Sequence, residues 1–199
     1  MKVFISLLSL LAFALLSGVT SLAQNVGDNS VYYVTYFSNA QHTDGLDQNV
    51  RVINDGDTGA NLWASFYVFD DSQEMQACCS CEVTPDGLTS ESVQNNLTAH
   101  SLTGKLKTRG LIKVISSSVP AAGPTNFKNS PTPGLRMWAT HIQRENQNDG
   151  PFFVTETQAS AANLVSSEES VLETLCYYVS LLGGNGPGIC SCTPEDNDF

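Results

Sequence analysis

The chain is 199 residues long, and 20 acidic against nine basic residues give it a formal charge of −11. That balance argues against nucleic acid or anionic membrane as a partner, because both reward basic surface. The length suits one domain with a sizeable core, and no internal repeat marks a second.

Lys2 precedes an apolar run from Val3 to Leu16, followed by small and polar residues ending Ser21-Leu22-Ala23. This order of charge, apolar stretch and small-residue cleavage site reads as a secretory signal peptide over residues 1–23. The run is short of the roughly 20 residues that a membrane span needs. The mature chain, residues 24–199, has no other long apolar segment, so no transmembrane span is expected in it. The leader directs the chain out of the cytoplasm without choosing among periplasm, medium and cell surface.

Val31 to Phe37 is dense in β-branched and aromatic residues and reads as a strand. Behind a polar lead, such a strand could also add to another subunit's sheet, although pairing within its own domain is the commoner outcome. Val50 to Ile53 and Leu62 to Phe69 read as paired strands, with Asn54-Asp55-Gly56-Asp57-Thr58-Gly59 as their turn. The second strand has Leu62, Ala64, Phe66 and Val68 on one face and Trp63, Tyr67 and Phe69 on the other, so it should be central and covered on both sides. The turn lacks the ligand spacing of an EF-hand calcium loop. Residues 87–104 read as loop and short strand.

Lys105, Lys107, Arg109 and Lys113 share odd numbering and would line one face of a strand. They could dock an acidic partner, including a second copy of the chain, or protect a sheet edge from unwanted pairing. Leu111 to Ile115, Leu135 to Ile142 and Phe152 to Thr157 are further strands, separated by Pro/Gly clusters. Ser166 with Glu169 fits a capping box, and Val171, Leu172, Leu175, Tyr178, Val179 and Leu182 follow helical spacing up to Gly183-Gly184. A helix is expected at about 167–182. The fold class is therefore mainly β: a two-sheet, β-sandwich-like domain with one C-terminal α-helix.

Six cysteines form two groups, Cys78, Cys79 and Cys81, then Cys176, Cys190 and Cys192. An even count in a secreted chain favours disulfides, and bonds across the two groups in some order would staple the sheet to the C-terminal helix and tail. A direct Cys78–Cys79 bond would need a strained small ring. The other reading is a thiolate site for a soft metal. Against it stand the oxidising destination and the absence of the usual Cys-x-x-Cys zinc spacing. No metal or other cofactor is expected.

Catalytic signatures are missing. His42, His100 and His141 stand apart and outside any His-Glu-x-x-His pattern, and there is no Gly-x-Ser-x-Gly elbow or phosphate-binding glycine fingerprint. Glu145 and Glu156 could join a glycosidase-type carboxylate pair, as could other acids in so acidic a chain. Asn96-Leu97-Thr98 is an N-glycosylation sequon. Trp138 is the better candidate to stack on a sugar ring, because Trp63 falls in the expected core.

Tyr67-Val68-Phe69-Asp70, Gln73-Glu74-Met75-Gln76, Cys78-Cys79-Ser80-Cys81 with Val83-Thr84-Pro85-Asp86-Gly87-Leu88, and Gly188-Ile189-Cys190-Ser191-Cys192 resemble a set of uncharacterised secreted bacterial proteins. The resemblance implies an extracytoplasmic bacterial setting and no activity. The leading expectation is a non-catalytic structural, adhesion or assembly protein of the cell envelope or exterior. A carbohydrate-binding module and a carboxylate-dependent hydrolase are the alternatives.

Overall fold

The structure, a computed structural model, describes residues 29–38, 46–105, 107–121, 126–144 and 150–192. The expected leader, most of the loop from Ser38 to Asp47, His42, Glu145 and part of the turn from Val119 to Pro124 lie outside the described residues.

The strands in chain order are β1 (Tyr32–Phe37), β2 (Asn49–Asn54), β3 (Leu62–Asp70), β4 (Met75–Val83), β5 (Leu88–Ser92), β6 (Gly110–Ser117), β7 (Leu135–Arg144), β8 (Phe152–Gln158) and β9 (Ser160–Ala161). A single π-helical turn, Val93–Leu97, follows β5, and helix α1 spans Ser166–Leu182. The strands form a five-stranded sheet, β4-β3-β6-β1-β9, and a four-stranded sheet, β5-β2-β7-β8, with every neighbouring pair antiparallel. This is the expected mainly β, two-sheet architecture with one C-terminal helix.

The pattern of β3 explains the layering. Leu62, Ala64, Phe66 and Val68 join Phe37, Val52, Leu135 and Met137 in the core between the sheets. Tyr67 and Phe69, on the opposite face, join Tyr32, Cys78, Ile115, Leu172, Cys176 and Val179 beneath α1. The five-stranded sheet is thus covered twice, by the other sheet and by the helix. Each large apolar side chain buried this way contributes about 1.5–3 kcal/mol, so a strand apolar on both faces belongs at the centre. Trp63 departs from the expectation: it is half-buried, whereas Leu62 and Ala64 beside it are buried.

The expected β2–β3 hairpin does not form. Ile53 pairs with Leu88 and Arg136, whereas Leu62 pairs with Val83, so residues 54–61 carry the chain from one sheet to the other. The turn chemistry is present, with Gly56 at φ 79° and Gly59 at φ 62°. It serves a corner instead. Buried Asn54 fixes that corner by donating to the carbonyls of Ala60 (3.0 Å) and Val83 (2.9 Å) and accepting from the Gly56 amide (3.1 Å). The burial patterns fit the separation: β2 alternates buried and half-buried residues, whereas β3 is buried almost throughout.

Helix α1 begins one residue before the expected range, and its start is not a capping box. Val165 is the cap, with extended backbone and no side-chain hydrogen bond, and Ser166 already lies in the first turn. Glu168 instead reaches the five-stranded sheet, accepting from Lys113 Nζ (2.5 Å) and the Tyr32 hydroxyl (3.0 Å). The Lys113 ammonium holds the Glu168 carboxyl below its ordinary range. Burial, with Glu168 alongside, pushes the Tyr32 phenol up. Gly183 caps the other end, and Gly184 turns the chain at φ 59°.

Candidate ligand-binding face

The sulfurs pair as three disulfides, and every cysteine is bonded. Cys78 joins Cys176 with Cα atoms 5.8 Å apart, Cys79 joins Cys190 at 5.2 Å, and Cys81 joins Cys192 at 5.5 Å. Strand alternation sorts them. Cys79 and Cys81 face the inter-sheet core and take the tail, whereas Cys78 faces α1 and takes the helix cysteine. The tail also pairs with β4: the Cys78 amide donates to the Gly188 carbonyl (3.0 Å) and the Cys190 amide to the Cys78 carbonyl (3.2 Å). An otherwise open sheet edge is thereby covered. Cys79, Cys81 and Cys192 bring their sulfurs within 4.8 Å of one another, but as two neighbouring bonds and not as free thiolates.

The basic residues do not form a shared strand face. Lys105, Lys107 and Arg109 precede β6, and β6 is an inner strand between β3 and β1. The edge-protection reading therefore fails, since the strand these residues lead into has no free edge. Lys107 pairs with Asp70 (2.9 Å), Arg109 with Asp71 (2.6 Å) and Lys113 with Glu168 (2.5 Å). Lys105 is exposed. Asp70 is the hub of the β3–β4 turn: it also accepts from the Ser72 and Glu74 amides (3.0 Å each) and from Gln76 Nε2 (2.9 Å). Burial alone would raise its pKa, but Lys107 and the backbone amides outweigh that and hold the carboxyl below its ordinary range.

The histidines serve separate ends. Buried His141 lies under Tyr36, ring centroids 4.2 Å apart, with Nε2 2.8 Å from Thr157 Oγ1, and burial lowers its pKa. His100 is exposed, and the neighbouring Ser101 hydroxyl donates to the Lys105 carbonyl (2.7 Å), so the two form no catalytic pair. The Asn96-Leu97-Thr98 sequon closes the π-helical turn, and the buried Thr98 that caps it donates its hydroxyl to the Val93 carbonyl (2.7 Å).

Trp138 stands where a ligand can reach it. On β7, Leu135, Met137 and Ala139 point into the core, which turns Arg136 and Trp138 to the outer face of the four-stranded sheet. Trp138 is half-buried there, in register with Arg51 of β2 and Gln158 of β8. The Arg51 guanidinium crosses β7 to bond the Glu156 carboxylate, and their side chains remain 37% and 44% exposed. With Ile53 and Leu88 these residues line a shallow depression of about 240 Å³. It offers an aromatic ring, a multiple hydrogen-bond donor and an acceptor on one rigid surface. The sequence drew attention to Trp138 but not to Arg51 or Glu156 as its neighbours, since that proximity is made by cross-strand register.

No protein-family model and no curated protein matches the chain. Among solved structures, that of Thermotoga maritima 1070 is similar at 12% identity and a TM-score of 0.42, over 69% of this chain and 97% of that one. Among the described residues, no helix is long and apolar enough to cross a membrane.

Proposed function

We propose that this is a secreted, non-catalytic adhesion module of the cell exterior that holds carbohydrate on the outer face of its four-stranded sheet. The observation that carries the reading is Trp138 set beside the exposed Arg51–Glu156 pair. A tryptophan face takes the apolar face of a sugar ring, while guanidinium and carboxylate exchange hydrogen bonds with its hydroxyls. An ion pair this exposed contributes only about 0–1 kcal/mol to the fold, so giving it up to a ligand costs little. The depression is shallow and lies across several strands, which suits an extended glycan better than an enclosed small molecule. Three disulfides support an oxidising destination, and the residue 1–23 leader supplies the route there.

The test is a glycan array, followed by titration of the best polysaccharide against the mature protein and Trp138→Ala. The expected result is binding that weakens at least about tenfold in the variant, as for an aromatic hot spot, with an unchanged circular dichroism spectrum. Binding that survives Trp138→Ala would move the site elsewhere. An array without a positive glycan would overturn the carbohydrate reading.

A further inference from the structure

The depression beside Trp138 has two unlike ends. Glu156 of β8, with the Arg51 guanidinium that reaches it, makes the polar end. Ile53 of β2 and Leu88 of β5 make the other, and neither side chain carries a polar atom. In the strand order β5-β2-β7-β8, Trp138 on β7 stands between the two ends.

Leu88 is the residue at this site that the fold does not account for. It opens β5, where buried Thr89 and Glu91 face inward and turn Leu88 and Ser90 to the outer surface. Leu88 is 57% exposed, so it adds little to the core. A single exposed leucine is ordinary on a protein surface. This one is the register partner of Ile53, and the two continue a floor that already holds an aromatic ring. Its backbone is held as well. The Gly87 carbonyl before it accepts from the Asn54 amide (3.1 Å), and the Gly87 amide donates to the Thr84 carbonyl (2.8 Å). An apolar contact fixed on a strand can select one group of a ligand over another.

We infer that Ile53 and Leu88 receive the acetamido methyl of an N-acetylated amino sugar, so that the glycan is built from N-acetylated hexosamines and not from plain hexoses. The inference rests on the carbohydrate reading above and specifies it. A plain hexose carries hydroxyls around its rim. Seated on Trp138, it would turn a hydroxyl toward Ile53 and Leu88, which have no group to exchange with it. An acetamido substituent ends in a methyl that the two side chains can cover. Its carbonyl is an acceptor, and a guanidinium has five donor hydrogens, more than the Arg51 bond to Glu156 occupies. The bare methyl of a deoxy sugar would leave those donors unmatched. An acidic sugar would meet the Glu156 carboxylate and a chain of formal charge −11, whereas an N-acetylated amino sugar is neutral. The depression, at about 240 Å³, is smaller than a pocket that encloses a whole small ligand, which suits one ring with its substituent while neighbouring sugars lie along the open face.

Calorimetric titration of the mature protein with two trisaccharides of the same linkage, one of N-acetylglucosamine and one of glucose, tests the inference. The two differ only in acetamido against hydroxyl. The expected result is binding of the N-acetylated trimer about tenfold tighter or more. Leu88→Ser should remove most of that difference by weakening the N-acetylated trimer alone, and Leu88→Met should retain it. Both variants should melt as the wild type does, since Leu88 is exposed. Equal binding of the two trimers overturns the inference and leaves the glycan face standing. Binding of neither trimer, when a glycan on the array does bind, has the same consequence. A preference undiminished in Leu88→Ser overturns the part given to Ile53 and Leu88. Failure of every glycan removes the carbohydrate reading and this inference together.

Discussion

Cys79 and Cys190 are bonded across 111 residues of chain, and Cys81 and Cys192 repeat the same separation two residues on. Equal separations mean that β4 and the tail run parallel and in register, as the Cys78–Ile189 bridge between them also shows. The register forbids the exchanged pairing. Peptide mapping without reductant should recover Cys79–Cys190 and Cys81–Cys192 together with Cys78–Cys176. Full reduction should add about 6 Da to the intact mass, two for each bond. A recovered Cys79–Cys192 or Cys81–Cys190 peptide would contradict the register.

The Cys78–Cys176 bond ties α1 to the sheet beneath it. Replacing both residues by alanine should lower stability by about 2–4 kcal/mol, measured by urea unfolding. Hydrogen exchange should quicken in α1 before it does in β3, since β3 keeps both its strand partners. Equal acceleration in the two elements would show that the helix is held by its apolar contacts alone.

Arg51 and Glu156 belong to the proposed ligand face and contribute little to the fold. Arg51→Ala and Glu156→Gln should each change the unfolding free energy by no more than about 1 kcal/mol. Both should weaken glycan binding while Trp138 remains in place. A large stability loss would mean that the pair is structural.

Asp70 makes stability depend on pH in a definite direction. Its folded pKa lies below the unfolded value of 3.8, so its contribution is present above pH 3.8 and is lost as pH falls through the folded value. Glu168, held down by Lys113, acts in the same sense below its unfolded value of 4.5. Glu169 acts in the opposite sense, because burial and the nearby Glu173 raise its folded pKa. Asp70→Asn should cost about 1–3 kcal/mol at pH 7 and less at a pH below 3.8, by urea unfolding at the two pH values. An equal cost at both would show that the carboxylate charge contributes nothing.

Asn54 holds the corner at which the chain changes sheets. Asn54→Ala removes the donor to the buried Val83 carbonyl, together with the half-buried bonds to Ala60 and Gly56, and should cost about 1–3 kcal/mol. Asn54→Asp retains the acceptor for Gly56 but removes the donors, and should cost at least as much. The midpoint of thermal unfolding checks both.

Much of the scaffold was legible because its signals are local. Alternation and β-branched residues marked β1, β3, β6, β7 and β8, and the two apolar faces of β3 placed it at the centre. Helical spacing with Gly183-Gly184 located α1 to within a residue. β4 was missed, because Met75–Val83 carries neither clean alternation nor many β-branched residues; its strand state comes from β3 on one side and the tail on the other. Trp138 could have been oriented from Leu135, Met137 and Ala139, whose alternation leaves it facing outward.

By itself the sequence determined the class of fold, the secretory leader as an expectation and the grouping of the cysteines, all of which follow from composition, periodicity or spacing along the chain. Only the tertiary structure decided that β2 and β3 part into separate sheets, which cysteine meets which, and that Arg51 and Glu156 flank Trp138. Turn residues that permit a hairpin also permit a corner, and a strand shows its own two faces without naming the strand beside it. Those choices depend on contacts between segments up to 111 residues apart, and packing settles them only when the whole core closes.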